Sequence, residues 1–280
     1  MNKQLIMAMV HKEIKILFSS KKVWIPMLIV PLLLCVLLPA GIAYVGIHTS
    51  YLSHLDQDVK MMATNFVQKF PDGELKETFL SFKKPNLQLT FLYLNFMIMP
   101  FFLMSSIINS SVVAANSFAG EKERKTLETL LFSPISVKEL FVSKLLASFL
   151  PSFAITYLAF FLCVGLVNAI AYPSLHVWTF INMNWLWIMG WFVPILLVFN
   201  ILLNIFVSAK VKTFQEAQQF GGIMILPVVG LVVSQSTGLF FVGNMTLFIA
   251  GIVLLVLNLL LLKIMMKYNQ RHALFESQIR

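Results

Sequence analysis

A chain of 280 residues in which 59% are hydrophobic and only 12% charged has more apolar surface than a soluble domain of that length can bury. The 21 Lys and Arg against 12 Asp and Glu give a net charge of +9. Those cations flank apolar runs, which excludes a basic nucleic-acid-binding domain and makes anionic lipid headgroups the counter-charge. The composition predicts an all-α polytopic membrane protein. Cys35 and Cys163 fall inside apolar segments without Cys or His at metal-ligand spacing, and the histidines at 11, 48, 54, 176 and 272 form no motif, so no metal site is expected.

From the N-terminus, residues 3–18 read as an amphipathic helix lying in the membrane interface. Leu5, Ile6, Met9, Val10, Ile16 and Leu17 are on one side and Gln4, His11, Lys12 and Lys15 on the other. Residues 1–22 are therefore assigned as a cytoplasmic interfacial helix. Lys21 and Lys22 anchor a first span, Val23 to Ile47, with no charge over 25 residues. Its length and the lack of an A-x-A site argue against a signal peptide. Pro26, Pro31 and Pro39 are expected to kink it.

Residues 48–88 balance five Lys with five Asp or Glu and predict a small extracellular cap. One cap helix carries Val59, Met62, Phe66 and Phe70. After a turn at Pro71-Asp72-Gly73, a second carries Leu75, Phe79 and Phe82. A second span follows, about Leu89 to Ser117, containing Pro100. Ser105, Asn109 and Asn116 share one of its faces with Val112. Two readings fit that face: a translocation wall, or interhelical hydrogen bonding, which needs no substrate.

Phe118 to Lys144 is a charged island. Glu121 and Lys125 form a Glu-first i,i+4 pair suited to a solvent-facing helix, whose apolar stripe is Leu127, Leu130 and Leu131. Ser133-Pro134 breaks that helix. Ser136 and Glu139 then form a capping box, with Ile135 and Leu140 placed as a hydrophobic staple, and a second helix leads into the membrane.

A third span, about Leu145 to Ala171 and broken by Pro151, precedes an outer loop, Tyr172 to Asn184, holding Trp178. Trp185 and Trp187 read as interface anchors. The fourth span, about Trp185 to Val207, aligns Asn200, Asn204 and Ser208 in a second polar stripe with the same two readings. A loop, Ser208 to Gln219, holds Lys210, Lys212 and Glu216. The next apolar run, Phe220 to Val233, is short for a crossing, at roughly 21 Å of helix. It is followed, after Ser234 to Gly238, by a last apolar segment to Leu262. With both termini, the island and the 208–219 loop in the cytoplasm, 16 Lys or Arg lie inside against 5 outside. That distribution places both termini inside and favours six crossings.

The island also carries a family likeness. Glu121-Lys122-Glu123-Arg124-Lys125-Thr126-Leu127-Glu128-Thr129-Leu130-Leu131, then Ser133-Pro134-Ile135-Ser136 and Lys144, resembles the signature of ABC-2 type transporter permeases, especially the sodium-efflux-pump-like and drug or peptide export branches. Lys125 stands where that family often has Gly, and the 48–88 loop is smaller than the efflux-pump branch often carries. The resemblance implies a single permease domain over residues 1–280, with a cytoplasmic coupling helix in segment 118–144 between spans 2 and 3. It also implies a re-entrant element between spans 5 and 6. ATPase-coupling residues would be Glu121, Lys122, Glu123, Arg124, Lys125, Thr126, Leu127 and Glu128. The implied partners are two copies of an ABC ATP-binding subunit and a second copy of this permease or a related one, in a bacterial or archaeal cell membrane.

The absences narrow the function. No G-x-x-x-x-G-K-[ST] loop occurs, so ATP and Mg belong to a partner and the chain itself binds no cofactor. All twelve acids fall outside the expected spans, unlike in ion-coupled carriers. No HExxH, GxSxG or paired carboxylates stand within the spans, which argues against an intramembrane enzyme. The reading is the membrane subunit of an ATP-driven ABC exporter. A non-transporting immunity or sensor protein is the alternative of a different class.

Overall fold

The computed structural model describes residues 3–49, 61, 64–68, 73–123, 136–208, 211, 213–237 and 239–268. Every regular element among them is helical. Six helices are long and apolar enough to cross a membrane, by length and composition: Lys21–His48, Pro85–Glu121, Lys138–Leu175, Met183–Ser208, Phe214–Ser236 and Asn244–Met265. This is an integral membrane protein of the expected class.

A separate helix, α1 (Lys3–Ser19), precedes the spans. Its apolar stripe does not lie on lipid. Ile6, Met9, Val10 and Leu17 are buried against the rest of the chain, Ile6 and Val10 meeting Ala147, while Met7 and Phe18 stay exposed.

Proline sets the shape of the first span. It consists of α2 (Lys21–Pro31), a π-helical turn at Leu32–Leu37 and α3 (Leu38–His48). Pro31 supplies no N–H, and the wider π ladder that follows absorbs the mismatch before Pro39 restarts regular helix. The cap contributes α4 (Glu74–Ser81) and a short helix over 64–68. The rest of that predicted pair, including Val59, Met62, Phe70 and Pro71-Asp72, lies outside the described residues.

The second span is α5 (Pro85–Leu92), a π turn at Tyr93–Met97 and α6 (Met99–Glu123). The turn just ahead of Pro100 is closed by the Ile98 N–H donating to the Tyr93 carbonyl, 3.0 Å away. This span is the axis of the bundle: 78% of its most apolar stretch is buried, against 17% in each of the last two spans.

The third span departs from expectation. α7 (Val137–Leu175) runs unbroken through Pro151 for 39 residues. One missing backbone donor is tolerated in a membrane helix whose neighbours hold its course, and here the Ser152 hydroxyl donates to the Ser148 carbonyl. Its N-terminus is the predicted capping box: the Glu139 N–H donates to Ser136 Oγ at 3.3 Å and the Ser136 N–H to Glu139 Oε2 at 3.2 Å. Ile135, the proposed staple, lies outside the described residues.

The loop after α7 is tied inward. Asn168 Oδ1 accepts from the Thr179 N–H and hydroxyl, and Asn182 Nδ2 donates to Asn95 Oδ1 at 2.6 Å. Trp185, expected at the interface, is instead 1% exposed in a nest of Phe102, Phe160 and Phe180. Ring-to-ring packing outweighs the interfacial preference of its indole. The fourth span is α8 (Met183–Trp187), a π turn at Ile188–Phe192 and α9 (Val193–Ser208).

The fifth span is longer than the apolar run implied. α10 (Phe214–Ile223) starts where Thr213 Oγ1 accepts from the Glu216 N–H, and after a turn at Met224 and Ile225 it continues as α11 (Leu226–Ser236). The polar first turns complete a 23-residue span. Where the resemblance implied a re-entrant element, the described part of 237–243 is non-helical. It buries Phe241 against Phe66 and Phe96. α12 (Asn244–Tyr268) closes the bundle.

Gly221 lets α10 reach the bundle axis. A Cβ there would stand 2.6 Å from Ser111 Oγ and 2.7 Å from Ser111 Cβ on α6. Gly221→Ala should therefore lower stability by about 1–3 kcal/mol, read as a fall in unfolding temperature of the purified protein in detergent. Unchanged stability would contradict this close approach.

Candidate functional site

α6 ends and α7 begins on either side of the charged island, and what pins these two ends together is an ion pair buried in protein. Lys144 lies two turns into α7 and is 0% exposed. Its ammonium donates to the Ser117 carbonyl and to Glu121 Oε2, both on α6. Glu13 of α1 stands on the other side, with Oε1 3.8 Å from the same nitrogen. A single cation therefore joins three helices. Glu121 is 7% exposed and turned inward, not solvent-facing as the Glu121–Lys125 spacing suggested. A buried ammonium across the helix gap offers a far stronger partner than a solvated one a turn away.

Glu13 sits on the apolar stripe of α1, one turn from Met9 and Val10. Removal from water pushes its carboxyl up to about 7 from the ordinary 4.5. Lys144 opposes that shift, and the nearby Glu121 carboxylate adds to it. The carboxylate side of the cluster adjoins a small pocket lined by Glu13, Asn116, Ser117 and Ser148 among apolar groups. The island's flank also reaches the fifth span: Glu123 Oε2 accepts from the Phe214 N–H at 3.0 Å, adding negative charge at the N-terminus of α10. The α6 end is thus bonded to α1, α7 and α10.

A second polar cluster occupies the middle of the bundle. Asn200 Nδ2 donates to the Ile107 carbonyl, Ser110 Oγ and Ser111 Oγ at 2.7–2.9 Å. Asn204 Nδ2 bonds the Asn200 carbonyl at 2.8 Å and Ser111 Oγ at 3.3 Å. The α9 stripe thus meets a face of α6 different from the one carrying Ser105, Asn109 and Asn116. Ser105 lies beside Cys35. Asn109 is 0% exposed and neither its Oδ1 nor its Nδ2 has a protein partner. Asn116 sits near the ion cluster instead of in mid-bundle.

Of the expected coupling residues, Glu121 and Glu123 are placed as above, and Lys122 falls within α6. Arg124, Lys125, Thr126, Leu127 and Glu128 lie outside the described residues, as do the Leu130-Leu131 stripe and the Ser133-Pro134 break. Sequence reasoning gave no role to Glu13 and read Lys144 only as the last residue of the family signature, without a partner. The available signal was an acid at position 13 of a stripe otherwise made by residues 6, 9, 10 and 17, and a lysine at the mouth of an apolar helix.

Among the described residues, no three His, Cys, Asp or Glu side chains group as metal ligands. Against this background, the model of the ABC-2 family transporter protein family matches residues 7–278, nearly the whole chain. The chain belongs to the ABC-2 transporter family. No curated protein and no solved structure matches this ABC-2 permease. Permeases of this family generally work with an ABC ATP-binding subunit.

The two asparagine sites make opposite predictions for stability. Asn200→Leu in this permease should destabilise by about 1 kcal/mol, given roughly 0.6 and at most 1.7 per interhelical hydrogen bond in membrane proteins. Asn109→Leu should be neutral or stabilising, because it removes an unpartnered buried amide. Thermal unfolding in detergent compares the two.

Proposed function

We propose that this permease is the membrane-spanning subunit of an ATP-driven exporter and is driven through the 118–144 segment by a separate ATP-binding subunit. The observation that carries the reading is the rooting of that segment: Lys144 and Glu121 clamp its two ends, Glu13 ties them to α1, and Glu123 ties them to α10. A segment so rooted converts a push on it into concerted movement of the second, third and fifth spans. Such coupling requires the partner to bind the two conformations with different affinity.

In this reading Lys122, Glu123, Arg124, Lys125, Thr126, Leu127 and Glu128 contact the ATP-binding subunit, while Glu121 transmits from inside. Two ATP-binding subunits hold the ATP and Mg, and two permease copies, or this one and a related chain, form the path. Both termini are cytoplasmic and the 48–88 cap faces outward. Asn109, with its unpartnered buried amide, is the pathway candidate of choice. Asn200 and Asn204 hold helices together. With no acid in mid-membrane, a hydrophobic peptide, lipid or drug suits the bundle better than sodium.

The test is to purify the complex carrying Glu123→Lys with Glu128→Lys. Glu123 accepts from the Phe214 N–H and is not a partner of Lys144. Charge reversal at an interface costs several kcal/mol, so co-purification of the ATP-binding subunit and substrate-stimulated ATP hydrolysis should both be lost while insertion is normal. Normal association with normal stimulation overturns the coupling role. Orientation is checked by cysteine labels: a label near Asp72 should react with an impermeant reagent in intact cells and one near Glu123 should not.

A further inference from the structure

The cluster at Lys144 contains one carboxyl more than the ammonium balances. Glu121 Oε2 accepts from the Lys144 ammonium, and Glu13 Oε1 stands 3.8 Å from the same nitrogen. Two buried carboxylates facing one ammonium repel each other unless one is protonated, and Glu13, whose carboxyl is pushed up by burial, is the one placed to hold the proton. With that proton the buried cluster is neutral, and without it the cluster holds a net negative charge among side chains less than a tenth exposed.

We propose that the junction of α1, α6 and α7 is a proton-binding site, in which Glu13 holds a proton beside Glu121 and Lys144, and that loss of this proton loosens α1 from the two helices that root the coupling segment. The inference rests on the junction itself and stands whether or not the chain exports.

The charged groups facing Glu13 define the balance. They are Lys144 from α7, Glu121 from α6 and Lys12 from α1 itself; the α2 lysines, Lys21 and Lys22, are exposed. The pocket beside Glu13 gives the proton a polar way in and out. Glu13 Oε1, Ser117 Oγ and Ser148 Oγ line it, and each is buried without a hydrogen-bond partner. Three such atoms around one opening suit a bridging water that relays the proton to solvent. The exchange is a simple one: water supplies the proton to the Glu13 carboxyl and takes it back, and no bond to carbon changes.

The direction of the pH effect follows from the raised value at Glu13. The docked helix binds the proton more tightly than a free one does. Docking is therefore favoured in acid, weakens as pH rises from the ordinary carboxylate range, and is fully penalised above about 7. A single proton lowers the ratio of docked to free α1 by about tenfold between pH 6 and pH 8.5.

The experiment uses the full-length protein in lipid nanodiscs. Infrared spectra of the wild type should contain a protonated-carboxyl C=O band at pH 6 that is gone at pH 8.5. Hydrogen-exchange protection of the α1 amides, corrected for intrinsic rates, should fall about tenfold over the same interval, while protection in α9 stays constant. In Glu13→Gln the band should be absent and α1 protection independent of pH. Wild-type protein with no titrating carboxyl band, or with equal α1 protection at both pH values, overturns the proposal. Both readouts are decisive in the wild type even if the variant does not fold.

Discussion

The arrangement depends on a lysine ammonium removed from water. Burying such a charge costs several kcal/mol unless partners surround it, and that cost is recovered only in good geometry. Lys144 obtains it from the Ser117 carbonyl, Glu121 and Glu13, which no one helix can supply. The three helix ends are thereby held in one relative position. Apolar packing does not achieve this alone, since lipid tails and leucines are equally good solvents for leucine and leave helix ends free to slide. The polar junction supplies the directionality.

The same logic governs the interior. Between α6 and α9 the contact is made by Asn200 and Asn204 on serines and a backbone carbonyl, and Gly221 brings α10 onto the same serine. Proline and π turns divide the first, second and fourth spans into successive helical segments. At the end opposite Glu13, aromatic rings do the holding: Phe66, Phe96 and Phe241 link the cap to the connection before α12. One end is thus fixed by charge and the other by apolar contact.

Apolar run length made the six crossings legible from the sequence, and the Ser136–Glu139 box marked where α7 starts. Local chemistry decided both. The errors arose where tertiary partners override local preference. Pro151 reads as a break, yet α7 continues because the surrounding helices hold it. Trp185 reads as an anchor, yet three phenylalanines enclose it. The fifth span reads as short because its first turns are polar, a feature of the Thr213 cap and not of lipid depth. Glu121 reads as solvent-facing because the sequence offers Lys125 one turn away, while the partner it uses is 23 residues distant. The proposed coupling role was legible only as a family resemblance, in which Lys144 was the last signature residue, and Glu13 was written as one acid on an apolar stripe. Nothing in sequence spacing pairs residues 131 positions apart.

If Lys144 is the joint, its removal and the removal of its partner must not add. The most direct measurement is a double-mutant cycle on Lys144→Met and Glu121→Gln, following unfolding of the full-length protein in nanodiscs. The account predicts that Lys144→Met alone costs about 3–5 kcal/mol by leaving carboxyls uncompensated, and that adding Glu121→Gln restores much of the loss. Losses that simply sum would contradict it, since two residues with independent effects are not a joint.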